Sequence, residues 1–236
     1  QSYSTFPFTH TLTFVQYMNK FEDTYQHKGL RKKLVDFLRN DKGITDEKVL
    51  NAINAIPRHF FLDSAFDKIA YEDRAFPIGE DQTISQPFTV AYQSQLFQIK
   101  RGDKILEIGT GSVYQATVLA ELGAWVYTIE RQKKLYEKNK GYFFKLKYPN
   151  IKFFYGDGFE GLPTFAPFDK VIITAAAPFI PPKLVAQMKV GGMMVIPVDE
   201  GDVQRMLRLI KQADGTMMEE TFEHFSFVPM LAGKNG

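Results

Sequence analysis

The sequence has no cysteine, a single tryptophan and four histidines among its 236 residues. Without cysteine there can be no disulfide, no thiolate nucleophile and no cysteine-ligated zinc or iron–sulfur site. That composition is compatible with a reducing compartment, and a cytoplasmic location is the expectation. His10, His27, His59 and His224 show no metal-ligand spacing, so no metal is expected. His59, beside Phe60 and Phe61, reads as a packing histidine. Net charge is equally small: 29 basic against 27 acidic residues leave a formal +2. No field of that size argues for nucleic acid or a membrane surface as partner. No apolar run approaches the roughly 20 residues of a membrane-spanning helix. The first residues lack a basic stretch, a continuous apolar stretch and a small-residue cleavage site, so no signal peptide is expected. What is present is apolar mass, 44% of residues, with 14% aromatic. That supports one large domain, or one domain with an added lobe. Trp125 and the aromatics of the N-terminal third read as core.

The stretch Lys104 to Gln115, KILEIGTGSVYQ, organises the chain. Ile105, Leu106 and Ile108 read as a strand buried on both faces. Gly109 to Ser112 break the pattern, and Tyr114 to Leu122 resume it at helical spacing with Val118, Leu119 and Leu122 on one side. Strand, glycine turn and helix make the first half of a nucleotide-binding crossover. The dinucleotide fingerprint would place a third glycine where Tyr114 stands. Glu107, pointing into the turn, would repel a pyrophosphate and suits a cationic amino-acid ligand such as S-adenosylmethionine. The second strand, Trp125 to Ile129, ends in Glu130, 19 positions after Gly111, where an acid accepts hydrogen bonds from ribose hydroxyls. An ordinary strand-to-helix turn remains the bland reading of E-x-G-x-G, and a dinucleotide oxidoreductase is disfavoured by Tyr114 and Glu107.

Upstream, residues 1–21 are rich in threonine and aromatics without a steady period, and read as an extension. Lys28 to Leu38 have helical spacing and stop at Gly43. A second helix starts with Thr45 as N-cap and ends at Pro57. A short aromatic element, Arg58 to Phe66, completes a helical lobe over 22–70. Tyr71 to Thr89 is a long polar segment of the kind that carries function, and Val90 to Phe97 is a helix. Downstream, Lys133 to Leu146 is a helix and Ile151 to Tyr155 a strand. The following Gly156-Asp157-Gly158 suits contact to an adenine amino group, or is a plain turn. Val171 to Thr174 is a strand followed by Ala175-Ala176-Ala177-Pro178, small residues that leave room beyond the sheet. A helix runs from Pro181 through Met188. Met193 to Val198 is a further strand, and Met206 to Lys211 pairs with Phe222 to Val228 about the Asp214-Gly215 turn. Alternating strands and helices closed by a hairpin give a doubly wound α/β sheet over 90–236.

Several stretches together resemble the protein-L-isoaspartate (D-aspartate) O-methyltransferase family. They are Tyr71 to Arg74 with Pro77-Ile78-Gly79, Gln82-Thr83-Ile84-Ser85-Gln86-Pro87, Leu106 to Gln115, Val126 to Arg131, and Gly156-Asp157-Gly158. Ala166 to Asp169, Thr174 to Pro178, Ile196-Pro197 and Phe227-Val228-Pro229 continue the match. The resemblance covers roughly positions 22 to 230, in the family's order. The Q-T-I-S-Q-P element is specific to the family, whereas E-x-G-x-G belongs to many methyltransferases.

The resemblance implies a mostly parallel seven-stranded sheet with a reversed last strand, the class I methyltransferase fold. It implies S-adenosylmethionine as donor and S-adenosylhomocysteine as product. The acceptor would be the α-carboxylate of an L-isoaspartyl residue in an aged peptide or protein, and the methyl ester then collapses to a succinimide. Ser85 matches the active-site serine, with Thr83, Ile84 and Ser85 along the donor's amino-acid end. Glu107, Gly109 and Gly111 match the cofactor turn, Glu130 the ribose acid, and Asp157 and Gly158 the adenine contacts. A monomer or weak homo-oligomer is expected.

Two positions depart from the resembled pattern, which usually has glycine at Val113 and at Asp199. A β-branched residue is costly at positive φ, so Val113 would strain the turn or crowd the donor. Asp199 would put a carboxylate near the mouth where an anionic acceptor arrives. Two other readings follow: a small-molecule methyltransferase of the same fold, and a homologue whose catalysis is weakened or lost through Val113.

Overall fold

The computed structural model describes residues 22–141 and 147–236. The extension expected over 1–21 and the last part of the helix expected to reach Leu146 lie outside the described residues.

Two helices open the described chain. Helix α1, Tyr25–Asn40, starts at Thr24, whose hydroxyl accepts from the His27 N–H, and it buries His27, Arg31, Leu34, Val35 and Leu38 along one stripe. Helix α2, Glu47–Ala55, is capped by Asp46, not by Thr45 as expected. A carboxylate one residue later reaches the N–H groups of Lys48 and Val49, while the Thr45 N–H is taken by Gln95 Oε1. Two short 3₁₀ turns follow, Arg58–Phe61 and Ser64–Ile69.

The segment read as a long polar loop contains a small antiparallel hairpin, β1 (Phe76–Gly79) with β2 (Gln82–Ile84). Its strands are too short to show a period, and both turn residues, Glu80 and Asp81, have positive φ. Helix α3, Pro87–Leu96, starts at a proline in its first turn, earlier than the expected Val90.

The main sheet comprises β3 (Lys104–Ile108), β4 (Trp125–Glu130), β5 (Ile151–Tyr155), β6 (Phe168–Ile173), β7 (Met188–Asp199), β8 (Gln204–Lys211) and β9 (Met217–Phe225). Its seven strands lie in the order β5-β4-β3-β6-β7-β8-β9. Strands β3 to β7 are parallel. The reversed strand is the sixth, β8, rather than the last: β8 is antiparallel to both β7 and β9. Short turns on both sides of β8 leave no room for a crossover, so only the middle strand of the three can run the other way. Helices α4 (Tyr114–Glu121), α5 (Lys133–Lys140) and α6 (Pro182–Ala186) complete the crossovers. Helix α6 ends at Ala186, not Met188, because Met188 already pairs with Phe168 in the sheet.

Alternation in β3 assigns the two faces. Ile105 joins Val126, Ile172 and Val195 in one cluster with Leu38, Leu50 and Ile53 of the lobe. Leu106 and Ile108 join Val171, Ile173, Met194 and Ile196 with Leu184 on the other face. Each such side chain contributes roughly 1.5–3 kcal/mol by leaving water. The lobe therefore shares the core of the sheet. Trp125, expected in the core, is 48% exposed. It starts β4 at the N-terminal end of the strand, opposite Lys104 and beyond the packed layer.

Candidate active site

The chain turns out of β3 into α4 through two constraints on backbone. Gly109 has φ +98, and a Cβ there would stand 2.6 Å from Thr174 Oγ1. The space is used: the Thr174 hydroxyl donates to the Gly109 carbonyl at 2.8 Å. The N–H groups of Gly109 and Thr110 both donate to the Ile129 carbonyl, which binds the turn to the end of β4. Gly111 N–H donates to Glu130 Oε2 at 2.9 Å.

These constraints shape a cleft of about 810 Å³, open to solvent, at the C-terminal ends of β3 and β6. β3 and β6 are the neighbours at which the strand order reverses, where open α/β sheets take their ligands. The second strand of the hairpin and the residue after it contribute Thr83, Ile84 and Ser85 as one wall. Gly109, Gly111, Glu130 and Gly158 contribute others. Seven of the nine site residues expected from sequence thus meet around one space.

The remaining two stand elsewhere. Glu107 is fully buried on the lobe-facing side of β3 and is not a cleft wall. It does not point into the turn, because alternation puts it on the side of Ile105. Neither of its oxygens has a hydrogen-bond partner. Burial pushes this carboxyl up to about 8, with the nearby Thr128 hydroxyl acting in the opposite sense and the Glu130 charge adding to the rise. Asp157 accepts from Phe159 N–H at 2.9 Å and from Gly233 N–H at 2.7 Å. Its carboxylate thereby fastens the C-terminal segment beside Gly158. Glu130 is buried, its carboxyl raised by burial and lowered by the N–H groups of Gln132 and Gly111.

Val113 has φ 73 and ψ −4, the left-handed conformation, as N-cap of α4. The strain is roughly 1–3 kcal/mol for a non-glycine residue. Its side chain is fully buried in the lobe-facing cluster and is not a wall of the cleft. Strain is therefore present, while the side chain leaves the cleft clear. Asp199 lies outside the cleft walls, exposed at the end of β7, where it accepts from Gln204 Nε2.

Sequence reasoning missed several walls: Tyr114, Gln115, Thr174 and the segment Val228–Leu231. Tyr114 and Gln115 read only as the start of a helix. Val228 and Pro229 sit on the sheet through Ala176, which exchanges hydrogen bonds with Val228 and Met230, a long-range pairing that no local pattern signals.

The histidines also meet, despite their spacing. Asp23, His27 and His59 offer ligand atoms within 4.8 Å of one another. Their lone pairs are already used. Arg31 takes both Asp23 oxygens, His27 Nδ1 faces Thr24, and His59 Nδ1 stands 2.7 Å from the Tyr71 hydroxyl. The trio is a hydrogen-bonded cluster under the lobe.

The sheet, its switch-point cleft and an acid at the end of the second main strand define the class I S-adenosylmethionine-dependent methyltransferase fold. A family model described as protein-L-isoaspartate(D-aspartate) O-methyltransferase matches residues 29–235. A protein-L-isoaspartate O-methyltransferase of Christiangramia forsetii is 54% identical over 214 residues, 91% of this chain and all of the relative. A solved protein-L-isoaspartate O-methyltransferase superposes with a TM-score of 0.76 at 28% identity, over 84% of this chain and 65% of that one. This chain thus spans a little under two thirds of that structure's length. A Plasmodium falciparum protein described as a protein-L-isoaspartate O-methyltransferase, in complex with S-adenosyl-L-homocysteine, shares the fold, with a TM-score of 0.73 at 23% identity over 85% and 98% of the two chains. The chain belongs to the protein-L-isoaspartate(D-aspartate) O-methyltransferase family.

Proposed function

We propose that this chain methylates the α-carboxylate of L-isoaspartyl residues in damaged peptides and proteins, with S-adenosylmethionine as donor. The observation that carries the reading is the meeting of Ser85, just after the hairpin, with the Gly109–Gly111 turn and Glu130 around one cleft. The donor's chemistry fits these residues. An acid among the walls accepts hydrogen bonds from hydroxyls and attracts a cation, and it disfavours a pyrophosphate.

When bound, S-adenosylmethionine would supply a sulfonium methyl for in-line attack by a carboxylate oxygen, the O–CH3 bond forming as the S–CH3 bond breaks and S-adenosylhomocysteine leaves. The acceptor carboxylate is ionised at neutral pH without help, so the residues need only align it and exclude water. Ser85 donates its hydroxyl to that carboxylate and orients it. Thr83 and Ile84 line the donor's amino-acid end. Gly109 and Gly111 let the donor approach the backbone, Glu130 holds the ribose hydroxyls, and Gly158 with Asp157 bounds the adenine. Glu107, which the resemblance assigns to the cofactor turn, is not a wall of the cleft and would act only from behind the turn.

The test is methyl transfer to an isoaspartyl peptide against its aspartyl counterpart. Transfer to the isoaspartyl form alone is expected. Ser85→Ala should lower turnover about 100-fold with S-adenosylhomocysteine affinity nearly intact. Equal loss of both would remove Ser85 from this role, and methylation of small carboxylic acids in place of the peptide would favour the small-molecule reading.

A further inference from the structure

We propose that Arg58 is a positioning residue for the transfer, acting through Ser85. The inference rests on the role given to Ser85 above.

Arg58 is the largest of the fully buried side chains, at 0% exposure. Among the described residues it forms no ion pair with a carboxylate within 4.0 Å. Its partners are backbone carbonyls. Nε donates to Ala70 O at 3.0 Å, and Nη2 donates to Ser85 O at 2.8 Å, with Arg74 O at 3.5 Å. The guanidinium lies 4.9 Å from the ring centre of Tyr114, a wall of the cleft. One side chain thus joins three places: the end of the 3₁₀ turns, the residue proposed to orient the acceptor, and the first turn of the helix that follows the cofactor loop.

Placing a cation here is costly, and an apolar side chain of similar volume would pack with less penalty. What only a planar, multi-donor group can do is hold two carbonyls of different segments at once. Ser85 needs that hold. β2 ends at Ile84 and α3 begins at Pro87, so neither the ladder nor the helix fixes the Ser85 carbonyl. Burial lowers the guanidinium to about 10, with Tyr114 and Asp73 acting against the fall, so it stays charged at neutral pH. The remaining nitrogen, Nη1, is buried without a partner, so the group is held for its contacts to Ala70 and Ser85 rather than saturated.

The experiment is a double-mutant cycle on the full chain with an isoaspartyl peptide, using Arg58→Lys, Ser85→Ala and the pair. Lysine keeps the charge and cannot bridge both carbonyls. Arg58→Lys should lower kcat about 30-fold, with S-adenosylhomocysteine affinity from calorimetry changed less than about threefold. In the Ser85→Ala background the same change should cost less than about threefold, because the hydroxyl it positions is gone. Multiplicative losses would overturn the assignment, as would a parallel loss of donor binding. Undiminished turnover in Ser85→Ala would overturn the reading of Ser85 and this inference with it, and that single variant tells the two failures apart. If Arg58→Lys does not fold, Arg58→Gln, which can reach one carbonyl only, enters the cycle with the same expected result.

Discussion

Under the helical lobe, Asp23, His27, Arg31, His59 and Tyr71 meet one another. Arg31 takes both Asp23 oxygens and donates to Tyr71, Tyr71 meets His59 Nδ1, and His59 Nε2 faces the Glu22 carbonyl. At the cleft, the Tyr114 hydroxyl and Gln115 Oε1 are just as buried and have no partner, nor do the two oxygens of Glu107 behind the turn. Polar groups that satisfy each other rigidify a fold, and an unpartnered one is expensive. The lobe's cluster is structure. The unpartnered groups carry a cost that the cluster in the lobe does not.

The sharpest way to break this contrast is to unpair the lobe. Arg31→Ala leaves Asp23 and Tyr71 without their donor and should cost about 3 kcal/mol in urea unfolding. That is the lower end for a buried pair, because the Asp23 side chain keeps 23% of its surface in water. Donor affinity should be unchanged in the same variant.

The converse holds at Glu107. Its folded value of about 8 exceeds the ordinary 4.5, so between those values the unfolded chain holds fewer protons and stability falls as pH rises. Glu107→Gln removes that dependence. It should gain about 2 kcal/mol at pH 8 and nothing at pH 4. No gain at pH 8 would show that Glu107 is partnered or solvated in solution.

His59 titrates with the opposite sign. Burial first, then the neighbouring His27, lowers it to about 4 from 6.5. The unfolded chain therefore takes up the proton first, and stability is lost as pH falls from 6.5 through 4. Against His59→Gln, the wild type should lose about 1 kcal/mol more over that interval. The two windows overlap between 4.5 and 6.5, where the opposite slopes offset one another, so stability of the ligand-free protein should be nearly flat there and fall on either side.

The smallest effect is expected at Val113. Val113→Gly relieves left-handed strain and loses a buried isopropyl group plus backbone entropy, for a net loss of about 1 kcal/mol. S-adenosylhomocysteine affinity should stay within about twofold. A marked gain in affinity would mean that Val113 crowds the cleft after all.

Local patterns carried most of the fold. Two-face burial in Ile105 to Ile108, helical spacing from Tyr114, and the Asp214-Gly215 turn all reappear in the structure, as does the glycine turn, which Glu130 meets through Gly111. The misses share a cause. The hairpin β1–β2 is too short for a period, Trp125 looks like core by type and lies at a strand's open end, and Asp46 outcompetes Thr45 as a cap by one residue. None of these is decided by residue type alone.

The sequence by itself determined most of the elements, the strand–glycine turn–helix unit and the family, because these depend on neighbours along the chain and on motifs of fixed spacing. The tertiary structure decided what those residues do to one another. It placed β8 as the reversed strand, brought Val228–Leu231 over the cleft, put Val113 in the core rather than the cleft, and set Arg58 against the carbonyl of Ser85, 27 residues away. Each of these is a contact between segments far apart in the chain, governed by which face a side chain takes when sheet and lobe close on one another, and no local period encodes that.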